Sequence, residues 1–252
     1  MRLTFSSEPE SLSASNNNPP VLGVAAQDYL KNLYKLCQEG CGVTPSLLAE
    51  RLGVSPPAVS KMLRRLQDMN LVLYSRNESL TLTPSGEKIA LEVIRHHRLL
   101  EMYLIQALGY TWDRVDEEAE RLEHVISEEF EDKIDELLGY PTHDPHGDPI
   151  PTRDGRIAAA CRSSLADLEP GQEGRIGRVT DGDPEMLRYL GRLGLYPETD
   201  VRMVMKEPFG GPLRVEVGGH EHAIGRELAA NVFVHSDGRT DARQHEGRLE
   251  EA

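Results

Sequence analysis

The sequence predicts a mainly α protein with a small β part, built from three units. Apolar side chains recur with helical spacing as far as residue 138. Residues 165–235 are instead rich in glycine and contain short runs with the alternation of strands. Prolines and glycines in 141–154 interrupt both periodicities. The expected boundaries are a disordered arm at 1–20, a first unit at 21–91, a second at 92–145, a linker at 146–164, a third unit at 165–235 and a disordered tail at 236–252.

The first unit is expected to begin with a helix over residues 24–38. A second, short helix (44–52) opens with Thr-Pro, and a third (55–70) opens with Ser-Pro, both good helix starts. Two short alternating runs, 71–74 and 79–83, then form a predicted hairpin. Helix, short helix, turn, helix and hairpin is the order of a winged helix-turn-helix.

The second unit is expected to contain two amphipathic helices, over residues 85–108 and 115–138. Their apolar side chains suit packing of helix on helix and a dimer interface. These side chains are Ile89, Val93, Leu100, Leu104, Val115, Leu122, Ile126 and Ile134. The third unit combines short strands, at 201–205 and 213–217, with one helix over 184–193. These proportions predict a small SH3-like β-barrel.

The formal net charge of −14 by itself disfavours a DNA-binding protein. The charge is unevenly distributed, however. Residues 21–90 hold eight Lys or Arg against six Asp or Glu, whereas 116–136 holds eleven acidic residues and two basic ones. The three cysteines form no even disulfide framework, and neither a signal pattern nor a membrane-spanning apolar run is present. We therefore expect a cytoplasmic protein with no membrane partner.

The third predicted helix has one apolar face and one face suited to DNA. The apolar residues are Val59, Met62, Leu63 and Leu66. The opposite face presents short side chains with long cations behind them, which suits base edges and phosphates in a major groove. The candidate DNA-binding residues are Ser55, Pro57, Ala58, Ser60, Lys61, Arg64 and Arg65, with Arg76 and Asn77 at the hairpin tip. A merely solvated helix face, or a winged helix that binds protein, remains an alternative.

The acidic stretch contains candidate metal ligands. The spacing i, i+4, i+7 and i+8 places four side chains on one stripe of a continuous helix. They are Asp116, Glu120, Glu123 and His124. His97 and Glu101 repeat the i, i+4 spacing in the preceding helix. Carboxylates and imidazoles without a thiolate favour Mn²⁺ or Fe²⁺ over structural zinc. A solvated acidic helix is the alternative. Three further histidines, His96, His143 and His146, show no partner pattern, and we expect them to be exposed or structural.

Four segments are informative together: Asp28-Tyr29-Leu30, SPPAVSKMLRRLQDMNLV, HRLLE at 97–101 and EEAERLEHVIS at 117–127. In these segments the chain resembles the diphtheria-toxin-repressor family of iron- and manganese-dependent regulators. The resemblance extends over roughly residues 21–235. It implies a repressor of metal-uptake genes that binds a pseudo-palindromic operator as a homodimer when metal is bound.

The resemblance also implies a ligand set. The primary site would consist of Asp28, Glu120, Glu123 and His124. Oxygen donors at Asp28 and Glu120, where the iron-responsive branch has methionine and cysteine, favour Mn²⁺ over Fe²⁺. Lys31 stands where two-domain manganese sensors place a second carboxylate, which argues against their paired-metal arrangement. His97, Glu101 and Asp116 resemble the ancillary metal site of the three-domain members. In those members the SH3-like domain completes the site, and Asp181 is the candidate completing ligand here.

Functions from other classes stay open at this point. A winged-helix regulator could sense a small organic ligand, with the carboxylates only solvated. A metal-dependent hydrolase could activate water between Glu120, Glu123 and His124, although no nucleophile or general base accompanies them. An interaction protein without an effector is a third alternative. We expect neither an enzyme nor a small organic substrate.

Overall fold

The structure is a computed structural model that describes residues 22–40, 42–75 and 79–240. The predicted arm at 1–20, Arg76 and Asn77 at the hairpin tip, and the chain after residue 240 lie outside these ranges. Among the helices within them, none combines the length and the apolar character needed to cross a membrane.

Three helices and a two-stranded hairpin form the first unit, as predicted. They are α1 (Val24–Gln38), α2 (Pro45–Leu52), α3 (Pro56–Asp68), β1 (Val72–Leu73) and β2 (Thr81–Leu82). The two strands pair antiparallel, with Val72 opposite Leu82. Thr44 caps α2 by accepting a hydrogen bond from the Leu47 amide. Gly53 ends that helix at a φ of 64°, a left-handed conformation that favours glycine.

The core of this unit fixes the orientation of α3. Val59, Leu63 and Leu66 are fully buried, which confirms the predicted inward face. Met62 is partly buried against the same core, and Leu30 of α1 lies in it. Each large apolar side chain buried in this way stabilises the fold by about 1.5–3 kcal/mol. The opposite face of α3 is consequently held outward.

The second unit contains three helices rather than the predicted two. α4 (Pro84–Leu108) is as expected, but the predicted helix 115–138 divides into α5 (Val115–Leu122) and α6 (Glu128–Leu137). The division occurs because the Ser127 side chain accepts a hydrogen bond from the Phe130 amide and caps a new helix. Acidic residues in the first turn of α6 favour that helix start. The prediction of one continuous helix is therefore wrong.

The third unit is an antiparallel sheet with two α-helices and a short 3₁₀ helix (Leu165–Asp167). Its elements are β3 (Gln172–Val179), α7 (Pro184–Leu193), β4 (Asp200–Lys206), β5 (Leu213–Val217), β6 (His220–Ile224), α8 (Arg226–Ala230) and β7 (Val232–Thr240). The strand order is β6-β5-β4-β3-β7. Within the described residues β6 and β7 do not pair with each other, so the predicted barrel is an open five-stranded sheet. The last strand continues to Thr240, beyond the predicted start of the tail at residue 236.

The segment predicted as a linker is packed into the fold where it begins. His146 and Ile150 are buried, and the His146 carbonyl oxygen accepts a hydrogen bond of 2.8 Å from the Val179 amide at the end of β3. Gly147 has a φ of 90°, and a Cβ there would lie 2.0 Å from the Gly177 carbonyl oxygen. Only glycine permits this close approach, which fixes the segment against the sheet.

Candidate metal centres and DNA-binding face

The first candidate centre joins α1 to the turn between α5 and α6. The Nε2 atom of His124 lies 2.7 Å from Oδ1 of Asp28 and 3.2 Å from Oε1 of Glu123. Ligand atoms of these three residues all lie within 4.8 Å of one another. Three of the four predicted primary ligands therefore converge, although the helix ends before Glu123. We call Asp28, Glu120, Glu123 and His124 the primary centre.

Gln27, which the sequence analysis missed, orients the imidazole of His124. The Gln27 amide nitrogen donates to the Leu22 carbonyl oxygen at 3.3 Å, which turns the amide oxygen toward Nδ1 of His124 at 2.6 Å. An amide oxygen only accepts hydrogen bonds, so Nδ1 carries the proton in this contact. Nε2 is then free to act as a ligand when the ring is neutral.

Glu120, the fourth predicted ligand, contacts a lysine. The ammonium nitrogen of Lys31 lies 2.6 Å from Oε2 of Glu120 and 2.5 Å from Oε1 of Glu123. Lys31 is only 2% exposed. Burial alone would lower the pKa of Lys31, but the carboxylates of Glu123 and Glu120 outweigh burial and raise that pKa. The lysine therefore remains a full positive charge inside the protein.

A second candidate centre surrounds Glu101, which is fully buried on α4. It comprises two groups that share Glu101, one with His97 and Asp116 and one with Asp144 and His146, and in each the ligand atoms lie within 4.8 Å of one another. We call these five residues the second centre. Nε2 of His97 is 3.3 Å from Oδ1 of Asp116. The predicted ancillary ligands His97, Glu101 and Asp116 thus lie together.

Several buried atoms of the second centre lack hydrogen bonds. Within the described residues, no partner reaches either carboxylate oxygen of Glu101, Nε2 of His97 or Nδ1 of His146. The Glu101 carboxylate is 3.6 Å from the first imidazole and 3.5 Å from the second, longer than a normal hydrogen bond. Nε2 of His146 is 2.8 Å from the carbonyl oxygen of Trp112, a contact that leaves Nδ1 as the ligand atom. Buried oxygen and nitrogen donors in this state fit a divalent cation.

The charges of the second centre perturb one another. Burial would raise the pKa of Glu101, but the neighbouring His97 and His146 outweigh it and hold that pKa well below its usual range. Burial would lower the pKa of His146, yet Glu101 raises it to about 9. Burial and the Glu101 charge raise the pKa of Asp144 to about 7. The cluster therefore holds mutually dependent charges, which is common at functional sites.

Asp144 and His146 are functional candidates that the sequence analysis missed as ligands. They lie in a segment rich in proline and glycine that has no helical or strand period, so only long-range packing against α4 brings them to Glu101. His96 is buried and contacts the Glu123 carbonyl oxygen at 3.0 Å and Glu131 at 3.2 Å, which agrees with a structural role. His143 is exposed.

Asp181 stays a prediction as a ligand. It lies close enough to His146 for its charge to contribute to the raised pKa of that histidine. Within the described residues, however, its carboxylate is in none of the groups whose ligand atoms lie within 4.8 Å.

The outward face of α3 carries the predicted DNA-binding residues. Ser55, Pro57, Ala58, Lys61, Arg64 and Arg65 are exposed, and Ser60 is partly exposed. Over the ranges that the structure covers, no carboxylate pairs with Lys61, Arg64 or Arg65. The unpaired cations suit contacts to phosphates, and the short side chains suit contacts to base edges.

Comparison with known proteins identifies the family. Residues 22–80 match the iron dependent repressor, N-terminal DNA binding domain; residues 83–152 match the iron dependent repressor, metal binding and dimerisation domain; and residues 163–236 match the FeoA domain. The chain belongs to the iron-dependent repressor family. The repressor is 32% identical over 219 residues to the iron-dependent repressor IdeR of Mycobacterium tuberculosis, which covers 82% of this chain and 94% of IdeR. It is 41% identical over 191 residues to the diphtheria toxin repressor of Corynebacterium efficiens, covering 71% and 82% of the two chains.

Solved structures share most of this architecture. A manganese-dependent transcriptional repressor in complex with manganese superposes with a TM-score of 0.78 at 39% identity, covering 84% of this chain and 99% of that one. ScaR with bound Cd²⁺ superposes with a TM-score of 0.72 at 33% identity, covering 83% and 98%. The repressor is therefore a metal-dependent DNA-binding transcriptional regulator and not an enzyme. The predicted fold class and family are confirmed, and the hydrolase is set aside.

Proposed function

We propose that the repressor is activated by Mn²⁺ held at the primary centre by Asp28, Glu120, Glu123 and His124. The contact between Asp28 and His124 carries the proposal, because it joins α1 of the DNA-binding unit to the helices of the metal-binding unit. A bound divalent ion would supply a positive charge that attracts the carboxylates of Asp28, Glu120 and Glu123. Asp28 then fixes α1, and with it the position of α3.

The donor chemistry favours manganese. The primary centre offers carboxylate oxygens and one imidazole, with neither a thiolate nor a thioether among its four residues. Oxygen-rich donor sets suit Mn²⁺ better than softer ions. Fe²⁺ is the second candidate, since IdeR of Mycobacterium tuberculosis is an iron-dependent repressor.

We propose that the second centre holds a further ion through Glu101, His97, Asp116, Asp144 and His146, with Asp181 as a completing ligand. The buried and unpaired atoms of Glu101 and the two imidazoles support this assignment. The centre packs α4 against the segment that leads to β3. An ion there would strengthen the attachment of the third unit.

We propose that the outward face of α3 is the DNA-reading surface. A homodimer would present this face twice, once to each half of a pseudo-palindromic operator of metal-uptake genes. Exposed apolar side chains near the ends of α4 and α6 support self-association through the second unit. They include Leu108, Leu137 and Tyr140, which are 57%, 67% and 67% exposed.

Metal titration with and without operator DNA tests the mechanism. Coupling is reciprocal, so operator DNA must tighten Mn²⁺ binding by the factor by which Mn²⁺ tightens DNA binding. Asp28→Ala is expected to remove this coupling and leave Mn²⁺ binding at the second centre. Glu117→Gln, a change at an exposed residue of α5, is the control. Unchanged Mn²⁺ affinity in the presence of operator contradicts the mechanism, and an absence of saturable Mn²⁺ binding favours a small-ligand sensor. Parallel titrations with Fe²⁺ rank the two metals.

A further inference from the structure

Trp112, the single tryptophan of the chain, lies where the second and third units meet. It stands in the turn between α4 and α5, where Gly109 ends α4 at a φ of 73° and the fully buried Val115 begins α5. Its side chain is partly buried against the apolar core of the third unit. A residue of the metal-binding unit is therefore anchored in the unit that contains the sheet.

The third unit holds the ring of Trp112 in place. The ring of Tyr196 lies 4.7 Å from it between centroids, at an interplanar angle of 46°. Gly191 of α7 leaves space for this pair, because a Cβ there would lie 2.7 Å from the Tyr196 hydroxyl oxygen and 3.4 Å from Nε1 of Trp112. Next to the ring, Oδ2 of Asp113 lies 3.0 Å from Nη1 of Arg188. The turn is consequently attached to α7 by an aromatic contact and an ion pair.

The same tryptophan contacts His146 of the second centre in two ways. Its carbonyl oxygen is 2.8 Å from Nε2 of the imidazole, and its ring is stacked on the imidazole at 24°, with 5.8 Å between centroids. A carbonyl oxygen only accepts hydrogen bonds, so Nε2 carries a proton and Nδ1 faces Glu101 at 3.5 Å. The carbonyl group fixes which nitrogen faces the centre, and the stacked ring fixes the plane of the imidazole.

We propose that Trp112 is the positioning residue through which the third unit prepares the second centre for its ion. This role rests on the proposed function, in which the second centre holds a divalent ion. Trp112 itself offers no ligand, because its indole only donates a hydrogen bond and its carbonyl oxygen faces Nε2 of His146. A ligating imidazole whose other nitrogen has a fixed partner binds a cation more tightly, because the ring is already oriented when the ion arrives.

The test is made in the Asp28→Ala protein, in which only the second centre is expected to bind Mn²⁺. Trp112→Ala removes the stacked ring, and Trp112→Phe keeps an aromatic ring at the same place. Tyr196→Ala loosens the tryptophan from the third unit without changing any residue of the centre. Tyr189→Ala is the matched control, because Tyr189 also belongs to the third unit and is 39% exposed, against 42% for Tyr196.

Calorimetry measures the Mn²⁺ affinity of each protein. We expect Trp112→Ala to lower this affinity by about 10–100-fold, the usual loss when the partner of a ligating imidazole is disturbed. Tyr196→Ala should lower it by less, Trp112→Phe should keep most of it, and Tyr189→Ala should leave it unchanged.

Nuclear magnetic resonance of protein that is ¹⁵N-labelled at histidine and loaded with diamagnetic Zn²⁺ measures the tautomer of His146. The Asp28→Ala protein is expected to show a protected proton on Nε2, since the Trp112 carbonyl oxygen accepts it. Trp112→Ala should lose that protection, and Tyr189→Ala should keep it. A purely structural contribution of Trp112 to folding would leave this proton unchanged.

An unchanged Mn²⁺ affinity in Trp112→Ala overturns the inference, and so does a lower affinity with the Nε2 proton still protected. If Trp112→Ala does not fold, Tyr196→Ala decides: a lower affinity with faster exchange of the Nε2 proton supports the inference, and an unchanged affinity refutes it. An Asp28→Ala protein that binds no Mn²⁺ at all is a different result, because it contradicts the proposed second centre itself, and the role of Trp112 falls with it.

Discussion

Replacing Glu101 with glutamine tests the second centre directly. Glu101 is fully buried, and both of its carboxylate oxygens lack hydrogen bonds within the described chain. Glutamine has the same shape but no charge, so the change removes the ligand that the two halves of the centre share. At a Mn²⁺ concentration 100 times the dissociation constant, one bound ion stabilises the folded state by about 2.7 kcal/mol.

This stabilisation converts into a measurable shift. For a chain of this size each kcal/mol raises the melting temperature by about 2–4 °C, so one ion raises it by about 5–11 °C. Two filled centres give about twice that shift in the wild-type protein, and Glu101→Gln is expected to retain about half of it. The quantity compared is the difference between Mn²⁺ and a chelator for each protein, which removes any change in basal stability.

Differential scanning calorimetry supplies the measurement. Glu117→Gln, at a side chain that is 78% exposed, is the matched control and should keep the full shift. A Glu101→Gln protein that also keeps the full shift would refute the assignment of an ion to the second centre. Loss of the whole shift would show that the two centres fill only together.

Three further predictions concern DNA binding, the core and pH. Lys61→Ala combined with Arg64→Ala should weaken binding to all DNA sequences. The slope of the binding constant against salt concentration should fall by the amount expected for about two lost phosphate contacts, and the Mn²⁺ affinity measured by calorimetry should not change. Leu63→Ala should lower the free energy of unfolding in urea by about 2–5 kcal/mol, since Leu63 is fully buried, whereas an exposed control such as Lys88→Ala should change it little. Burial would raise the pKa of Glu131, but His96 and Arg95 outweigh it and lower that pKa from 4.5 to about 2. A lowered carboxyl pKa stabilises the fold above pH 4.5, and this stabilisation is lost as pH falls toward 2. The free energy of unfolding of the wild-type protein should therefore fall by about 1–3 kcal/mol over this interval, and Glu131→Gln should not show this loss.

Local patterns predicted most of the helices correctly. α1 and α7 have the bounds expected from apolar spacing, and the inward face of α3 follows from Val59 and Leu63. The break after α5 was missed because a capping serine, Ser127, interrupts a helical period that continues on both sides of it. Periodicity reports which face is apolar, but a cap decides where the helix stops.

The candidate site was predicted less completely, because it depends on contacts far apart in the chain. His124 was found from helical spacing, whereas Asp28 came only from a resemblance. Asp144 and His146 belong to a segment without periodicity, and nothing local indicates that it folds back on α4. Lys31 was identified as a departure from a related arrangement, but its two carboxylate partners are evident only from packing.

His97 belongs to the second centre and also contacts the primary centre. Nδ1 of its imidazole is 2.6 Å from Glu123 of the primary centre, and Nε2 faces Asp116 and Glu101 of the second. One imidazole therefore contacts carboxylates of both centres. Burial would lower the pKa of His97, but Glu101, Asp116 and Glu123 outweigh burial and raise that pKa well above its ordinary value. Substitution of His97 would therefore remove a contact from each centre at once, whereas substitution of Asp28 or Asp144 changes one centre alone.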